Sequence, residues 1–217
     1  MPVSGCAAMS TRRWVLSRLA GLVLSCWPVL PAHAGAIEDA ATAAGVDPLV
    51  VRAIVITESR GHPWTVNVNG EPFFLASKAD AVNLIRRIHY EPWMVRVVEP
   101  GKKPVRYFFR TEADATEATR ELPKKSYSIR KIDDRMIDIG LMQINLHYHG
   151  DQMRSLDEAF SPSWNLSYGS KFLASLVARH GSVTTAIGYY NASTAARRAQ
   201  YSAKVLSTYR RLKNRRS

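Results

Sequence analysis

Apolar residues follow one another almost without interruption in Leu49-Val50-Val51-Arg52-Ala53-Ile54-Val55-Ile56-Thr57, and the run closes on an ionisable residue, Glu58. Asp47 before the run, Pro48 in its first turn, Gly61 just past its end and Pro63 beyond are helix punctuation, so the run reads as a helix rather than a strand. Being apolar nearly all round, this helix is expected to be largely buried. The end of the chain shows a different pattern. Tyr201, Val205, Tyr209 and Leu212 recur at helical spacing among Arg197, Arg198, Lys204, Arg210, Arg211, Lys213, Arg215 and Arg216. That predicts a terminal helix and tail over residues 196–217, with one packed stripe and a solvated basic face.

Between Asn69 and Ile139 the pattern becomes mixed. Phe73-Phe74-Leu75-Ala76-Ser77-Lys78 and Phe108-Phe109-Arg110-Thr111-Glu112 open two related units, each reading as strand, cap and helix. Ser77 and Thr111 are the expected caps, with helices ending near His89 and Leu122. Met94 to Val98 and Val105 to Phe109 are short β-rich runs joined by Glu99-Pro100-Gly101-Lys102-Lys103-Pro104, which predicts a hairpin. Residues 70–139 are therefore expected to form a small α+β insertion. Extension of a groove wall, a docking surface and neutral elaboration all remain open as its role.

Composition adds a compartment. Arg12, Arg13 and Arg18 precede an apolar stretch from Leu19 to Leu30, and Ala32-His33-Ala34 is a small-x-small cleavage signal, so residues 1–34 read as a secretory signal peptide. Pro28 breaks the stretch, which is short for a spanning anchor. Both cysteines, Cys6 and Cys26, precede the expected cut. The mature chain then has no thiol for a disulfide or thiolate metal site. Cys26 follows Val23-Leu24-Ser25, a poor lipid-attachment signal, and a lipoprotein is the lesser alternative. The formal net charge is +12, and +9 remains without the three leader arginines. Such charge favours anionic partners, cell-wall polymers and lipid head groups among them. No recognisable nucleic-acid motif accompanies the basic tail.

Glu58 is the strongest candidate for chemistry. Burial and the carbonyl end of its helix both disfavour a negative charge there and raise its pKa. A carboxylic acid protonated near neutral pH is what a general acid needs to protonate the leaving oxygen of a glycoside. From this helix alone, the plainer reading is a solvated last-turn glutamate.

Other segments change that reading. Glu58-Ser59, Gly140-Leu141-Met142-Gln143-Ile144-Asn145, Asn165-Leu166-Ser167-Tyr168-Gly169-Ser170-Lys171-Phe172-Leu173 and Ala186-Ile187-Gly188-Tyr189-Tyr190-Asn191 occur in this order. The ordered set resembles the catalytic domain of the lytic transglycosylases, relatives of goose-type lysozyme that cleave peptidoglycan glycan strands. The resemblance spans roughly residues 40 to 195. It departs from the commoner members in the 82 positions that separate Glu58 from Gly140, a far longer spacing than theirs. Trp64-Thr65-Val66-Asn67-Val68-Asn69-Gly70 and Met136-Ile137-Asp138-Ile139, which flank the gap, look like the branch that accompanies conjugation, type IV secretion and pilus assembly machines.

The resemblance implies a mainly α, α+β lysozyme-like domain over 35–217, acting without cofactor. It implies that Glu58 protonates the glycosidic oxygen and then takes the proton of the muramic acid 6-hydroxyl, whose attack leaves a 1,6-anhydromuramoyl end. Ser59 would bind substrate or orient the carboxyl. Met142 and Gln143 would meet sugar N-acetyl groups, Gln143 as donor and acceptor. Tyr190 would reach the glutamate through its hydroxyl, and Asn191 follows it as in the family. Asp138 is the nearest candidate for a second carboxylate, which would make a hydrolase of the lysozyme type; its other reading is a strand or turn residue satisfied by backbone amides. Tyr148, Trp164, Tyr168 and Tyr189 are candidates for stacking on sugars or for core and rim. His147 and His149 lack an obvious third ligand, so no metal is assigned. Beside an enzyme stands one alternative from another class, a non-catalytic wall-binding assembly factor. Expected partners are glycan strands and proteins of a secretion, conjugation or pilus apparatus.

Overall fold

The computed structural model describes residues 33–215. Most of the expected leader, with Cys6 and Cys26, lies outside the described residues. The architecture is α+β and mainly α. Helices α1 (Ala34–Ala44) and α2 (Pro48–Ser59) lead into strands β1 (Thr65–Val68) and β2 (Glu71–Phe74). Helix α3 (Lys78–Tyr90), strands β3 (Trp93–Val97) and β4 (Val105–Phe109), helix α4 (Glu112–Ala118) and strand β5 (Tyr127–Lys131) follow. Strands β6 (Ile137–Ile139) and β7 (Ile144–Asn145) bring the chain to the short helices α5 (Leu146–His149) and α6 (Leu156–Ala159). Three helices close it: α7 (Pro162–His180), α8 (Val183–Asn191) and α9 (Ala195–Asn214).

The apolar run folds as its punctuation predicts. The Asp47 carboxylate accepts from the Leu49 N–H, Pro48 occupies the first turn, and Arg60 ends α2 in the left-handed conformation one residue before Gly61. Helix α2 buries Val50, Val51, Ala53, Ile54 and Val55 in a core shared with α1, α7, α8 and α9. Among these, α9 supplies Tyr201 and Val205. It runs antiparallel to α2, for the Tyr209 hydroxyl donates to Asp47 at the start of α2 while Tyr201 faces Glu58 at its end.

Two antiparallel sheets complete the fold, one ordered β2-β1-β6-β7 and the other β4-β3-β5. The expected hairpin forms, with Val97 opposite Val105 and Trp93 opposite Phe109. Strand β5, which pairs with the free edge of β3, was not foreseen in the sequence. The two related units keep their caps: Ser77 and Thr111 accept from the N–H groups of Asp80 and Asp114. Their strands then part company, β2 joining one sheet and β4 the other. The second helix also ends at Ala118 rather than near Leu122, because the buried Thr119 hydroxyl bonds back to the Ala115 and Thr116 carbonyls and the chain tightens into i to i+3 turns.

The segment after Gly70 does not have a core to itself. Its apolar side chains, Val82, Ile85, Ile88, Met94 and Phe108, pack with Val66 and Val68 of β1 and with Phe160 after α6. Across this junction Glu71 of β2 meets Arg96, Arg106 and Arg130, one from each strand of the second sheet. No helix among the described residues is long and apolar enough to cross a membrane.

Candidate functional site

The end of α2, the β6–β7 turn and the end of α8 surround a cavity of about 420 Å³ that includes Glu58, Asp138, Gln143, Tyr190 and Asn191. Five of the seven residues singled out from sequence thus line one space. The other two, Ser59 and Met142, do not.

Glu58 keeps some contact with the cavity, while protein atoms crowd its carboxyl on the remaining sides. Desolvation is the dominant effect and raises its pKa to about 7. The Asp138 charge pushes in the same direction, whereas Tyr201, Asn191 and Lys204 stabilise the carboxylate and offset part of the shift. Asn191 donates from Nδ2 to Glu58 Oε1 at 3.3 Å. The Tyr201 hydroxyl lies against the carboxyl in a geometry looser than a regular hydrogen bond, and it has no other hydrogen-bond partner among the described residues. Burial and the Glu58 charge hold the Tyr201 phenol protonated, far above its ordinary pKa.

This corrects the assignment of the tyrosine. Tyr190, expected to reach the glutamate, donates instead to the Met142 carbonyl at 2.9 Å. Tyr201 is the tyrosine at Glu58, and it stood in the sequence only as one of four aromatic or aliphatic residues on the stripe of α9. Its signal was a phenol on an otherwise apolar face, which needs a polar partner when buried.

Asp138 is also buried, and desolvation raises its pKa despite an opposing hydrogen bond from Asn145 Nδ2 at 2.8 Å. A side-chain amide, not backbone amides, satisfies it. Asn145 spans several groups: its Nδ2 also donates to the Arg135 carbonyl, and its Oδ1 accepts from the N–H groups of His147 and Tyr148 at the start of α5.

The turn Gly140-Leu141-Met142-Gln143 is built around Asn165 of α7. Asn165 Oδ1 accepts from the Met142 N–H at 2.8 Å, and its Nδ2 donates to the carbonyls of Ile139 and Ala159. Gly140 is required twice over, since it has φ +79° and a Cβ there would run into the Asn165 amide. Met142 then points inward, fully buried, against Gly169, which leaves room for its sulfur. Its expected contact with sugar is thus replaced by a core position, since an apolar thioether gains more by filling the space over Gly169. Gln143 remains at the cavity with φ +49°, a strained value for a non-glycine residue. Its Nε2 donates to the Gly140 and Thr65 carbonyls, leaving the amide oxygen as the atom open to a ligand. Ser59, fully buried, donates to the Val55 carbonyl and accepts from the Gly61 N–H, so its hydroxyl finishes α2 instead of meeting substrate.

Among the expected aromatic platforms, Tyr148 and Tyr189 line the cavity and are exposed. Trp164 and Tyr168 stack on each other with ring centres 4.9 Å apart and face the cores. His149 bonds Tyr168 through Nδ1, and His147 lies on the other side of α5. Among the described residues no group of three or more His, Cys, Asp or Glu side chains is arranged to hold a metal ion.

Residues 106–210, just under half of the chain, match the family model described as the Transglycosylase SLT domain. No curated protein and no solved structure matches the chain significantly. The matched segment supplies Asp138, Gln143, Tyr190, Asn191 and Tyr201 but begins downstream of Glu58, which the fold brings to them. The match supports the lytic transglycosylase family and a peptidoglycan substrate, and the mainly helical α+β architecture agrees with a lysozyme-like domain of this kind.

Proposed function

We propose that this protein is a peptidoglycan lytic transglycosylase that cleaves the β-1,4 bond between N-acetylmuramic acid and N-acetylglucosamine and leaves 1,6-anhydromuramoyl ends. One observation carries the reading: a single glutamate on the cavity wall whose pKa, about 7, keeps it partly protonated at neutral pH. In this mechanism Glu58 donates its proton to the leaving glycosidic oxygen as the C1–O bond breaks. The resulting carboxylate, stabilised by Asn191 and Tyr201, then takes the proton of the muramoyl 6-hydroxyl as that oxygen bonds to C1. The substrate's own hydroxyl closes the ring, so no water and no enzymic nucleophile are required. Gln143 offers its amide oxygen to a sugar N-acetyl N–H, and Tyr148 and Tyr189 offer exposed rings to sugar faces.

Asp138, on the same cavity, supports a second reading as a hydrolase. Against it as a base stands the Asn145 amide, which donates from Nδ2 to Asp138 Oδ1 at 2.8 Å and already occupies that oxygen. The leader over 1–34 would deliver the enzyme to the periplasm, and the flanks of the 70–139 segment favour service to a secretion, conjugation or pilus apparatus.

The test is to incubate the protein, and separately Glu58→Gln, with purified peptidoglycan and identify the released fragments by mass. Anhydro ends from the wild type alone are expected. Reducing ends would replace the transglycosylase by a hydrolase, and binding without release would leave a recruitment protein.

A further inference from the structure

A second cavity, of about 240 Å³, lies outside the site described above. Ile85, Ile88 and Leu146 give it an apolar floor, and His89, Asp134 and His147 bring polar groups to it. Most of it is contributed by α3 and the turn Asp134–Met136, both within the long segment between Glu58 and Gly140. The partition between the two cavities is α5. Leu146 and His147 face the second cavity, whereas Asn145, Tyr148 and His149, on the opposite side of the same helical turn, face Glu58.

The rim of this cavity is unusual for a surface. Tyr90 and Tyr148 are each 71% exposed and Met136 is 50% exposed, and each is a near chain neighbour of a lining residue. His89 and His147 stand edge-on to Tyr90 and Tyr148. Large apolar side chains held in water around a concave apolar floor mark a recognition surface. Tyr148 lines the Glu58 cavity while His147, beside it in the chain, lines this one, so adjacent residues of α5 serve the two cavities.

We propose that this cavity is a subsite for the peptide that peptidoglycan carries on its muramic residues, recognised as a short chain of small aliphatic side chains with a free ammonium group. The inference rests on the function proposed above, because a glycan strand at Glu58 carries its peptides past the adjoining wall. The aliphatic floor takes methyl groups, Asp134 takes the ammonium, and the two imidazoles bond peptide carbonyls or carboxylates. Asp134 has no ion-pair partner among the described residues, unlike its neighbour Asp133, which Arg135 holds through two nitrogens.

The experiment compares peptidoglycan before and after an amidase has removed its peptides, using wild type, Asp134→Lys and the double variant His89→Ala/His147→Ala. Neither variant alters a residue of the Glu58 cavity. Exposed polar contacts contribute up to about 1 kcal/mol each, so the ratio of kcat/KM on intact to stripped strands is expected to fall about fivefold in each variant. Turnover on stripped strands should stay at the wild-type level. The free peptides released by the amidase are titrated into the same proteins by calorimetry, which tests the subsite even if neither polymer is cleaved. Peptide binding lost in Asp134→Lys supports the subsite whatever the chemistry at Glu58. An unchanged ratio, or equal losses on both polymers, together with no peptide binding to the wild type, overturns it. If neither polymer is cleaved by the wild type, the function proposed above fails separately.

Discussion

Glu58 and Glu71 are both largely covered carboxyls, both set at the edge of an element and both surrounded by polar side chains, yet their titrations move in opposite directions. Glu58 has desolvation as its main influence, a phenol and an amide as its partners, and a pKa of about 7. Glu71 is also desolvated, but Arg106, Arg96 and Arg130 outweigh that cost and pull its pKa below the usual value. Burial alone does not decide whether an acid is a proton donor; the charge of its company does. Arginines hold Glu71 as an ionised tie between two sheets at neutral pH. Neutral partners leave Glu58 able to hold and release a proton near neutrality.

The sharpest way to break the comparison is Glu58→Gln. Loss of the acid and base should lower the rate of anhydromuropeptide release by about a thousandfold, measured by quantitative mass spectrometry. The same variant should be the more stable protein at alkaline pH. Because the folded pKa lies above the unfolded one, the wild type gains stability from the protonated carboxyl at low pH and loses it as pH rises from about 4.5 to about 7. Gln, which never ionises, should avoid most of that loss. A gain of about 2 kcal/mol at pH 8, absent at pH 4, is expected from denaturant titrations.

Glu71→Ala should act the other way. It leaves three guanidiniums facing one another across the sheets, and a loss of about 2 kcal/mol is expected, between the values for exposed and fully buried pairs. The wild-type contribution of this carboxylate should be present above its unfolded pKa and disappear as pH falls through its lower folded value. Urea midpoints at pH 7 and pH 3 for both proteins test the sign.

Tyr201→Phe removes a hydroxyl that stabilises ionised Glu58. The acid's pKa should rise further, so the alkaline limb of the pH–rate profile should move upward while the maximal rate falls about tenfold, in the range of a lost charge-assisted contact. Asn191→Ala, which removes the 3.3 Å hydrogen bond to the same carboxyl and with it a smaller stabilisation of the charge, should shift the limb in the same direction by less. An equal loss of rate without movement of the limb would assign both residues to structure alone.

Much of this site was visible in the residue pattern, for reasons that differ by residue. Asp47, Pro48 and the chain reversal after α2 are local chemistry, and so placed Glu58 at a buried helix end. Gly140 and Asn165 were recognisable as parts of ordered motifs, though their mutual dependence appears only where the Asn165 amide fills the space a Cβ would need. Tyr201 escaped because its meaning is non-local: the same spacing that predicts a packed stripe says nothing about which packed residue meets an acid 143 positions earlier. Met142 and Ser59 were misread for a related reason. Their neighbours Gln143 and Glu58 do face the cavity, and adjacency in sequence does not fix which way a side chain turns at a strained turn or a helix end. Strand β5 was missed because Tyr127-Ser128-Ile129-Arg130-Lys131 is too short and too charged at its end to stand out, and its pairing with β3 is what makes it a strand.

The antiparallel pairing of α9 with α2 imposes an order of assembly on the protein. A chain emerging from its N-terminus presents Glu58 early, but Asn191 and Tyr201 arrive only near the end, and Tyr209 fastens the last helix to Asp47 at the start of α2. Until α9 docks, Glu58 lacks the Tyr201 hydroxyl that faces its carboxyl. The surroundings that set the strength of this acid are thus assembled from segments far apart in the described chain.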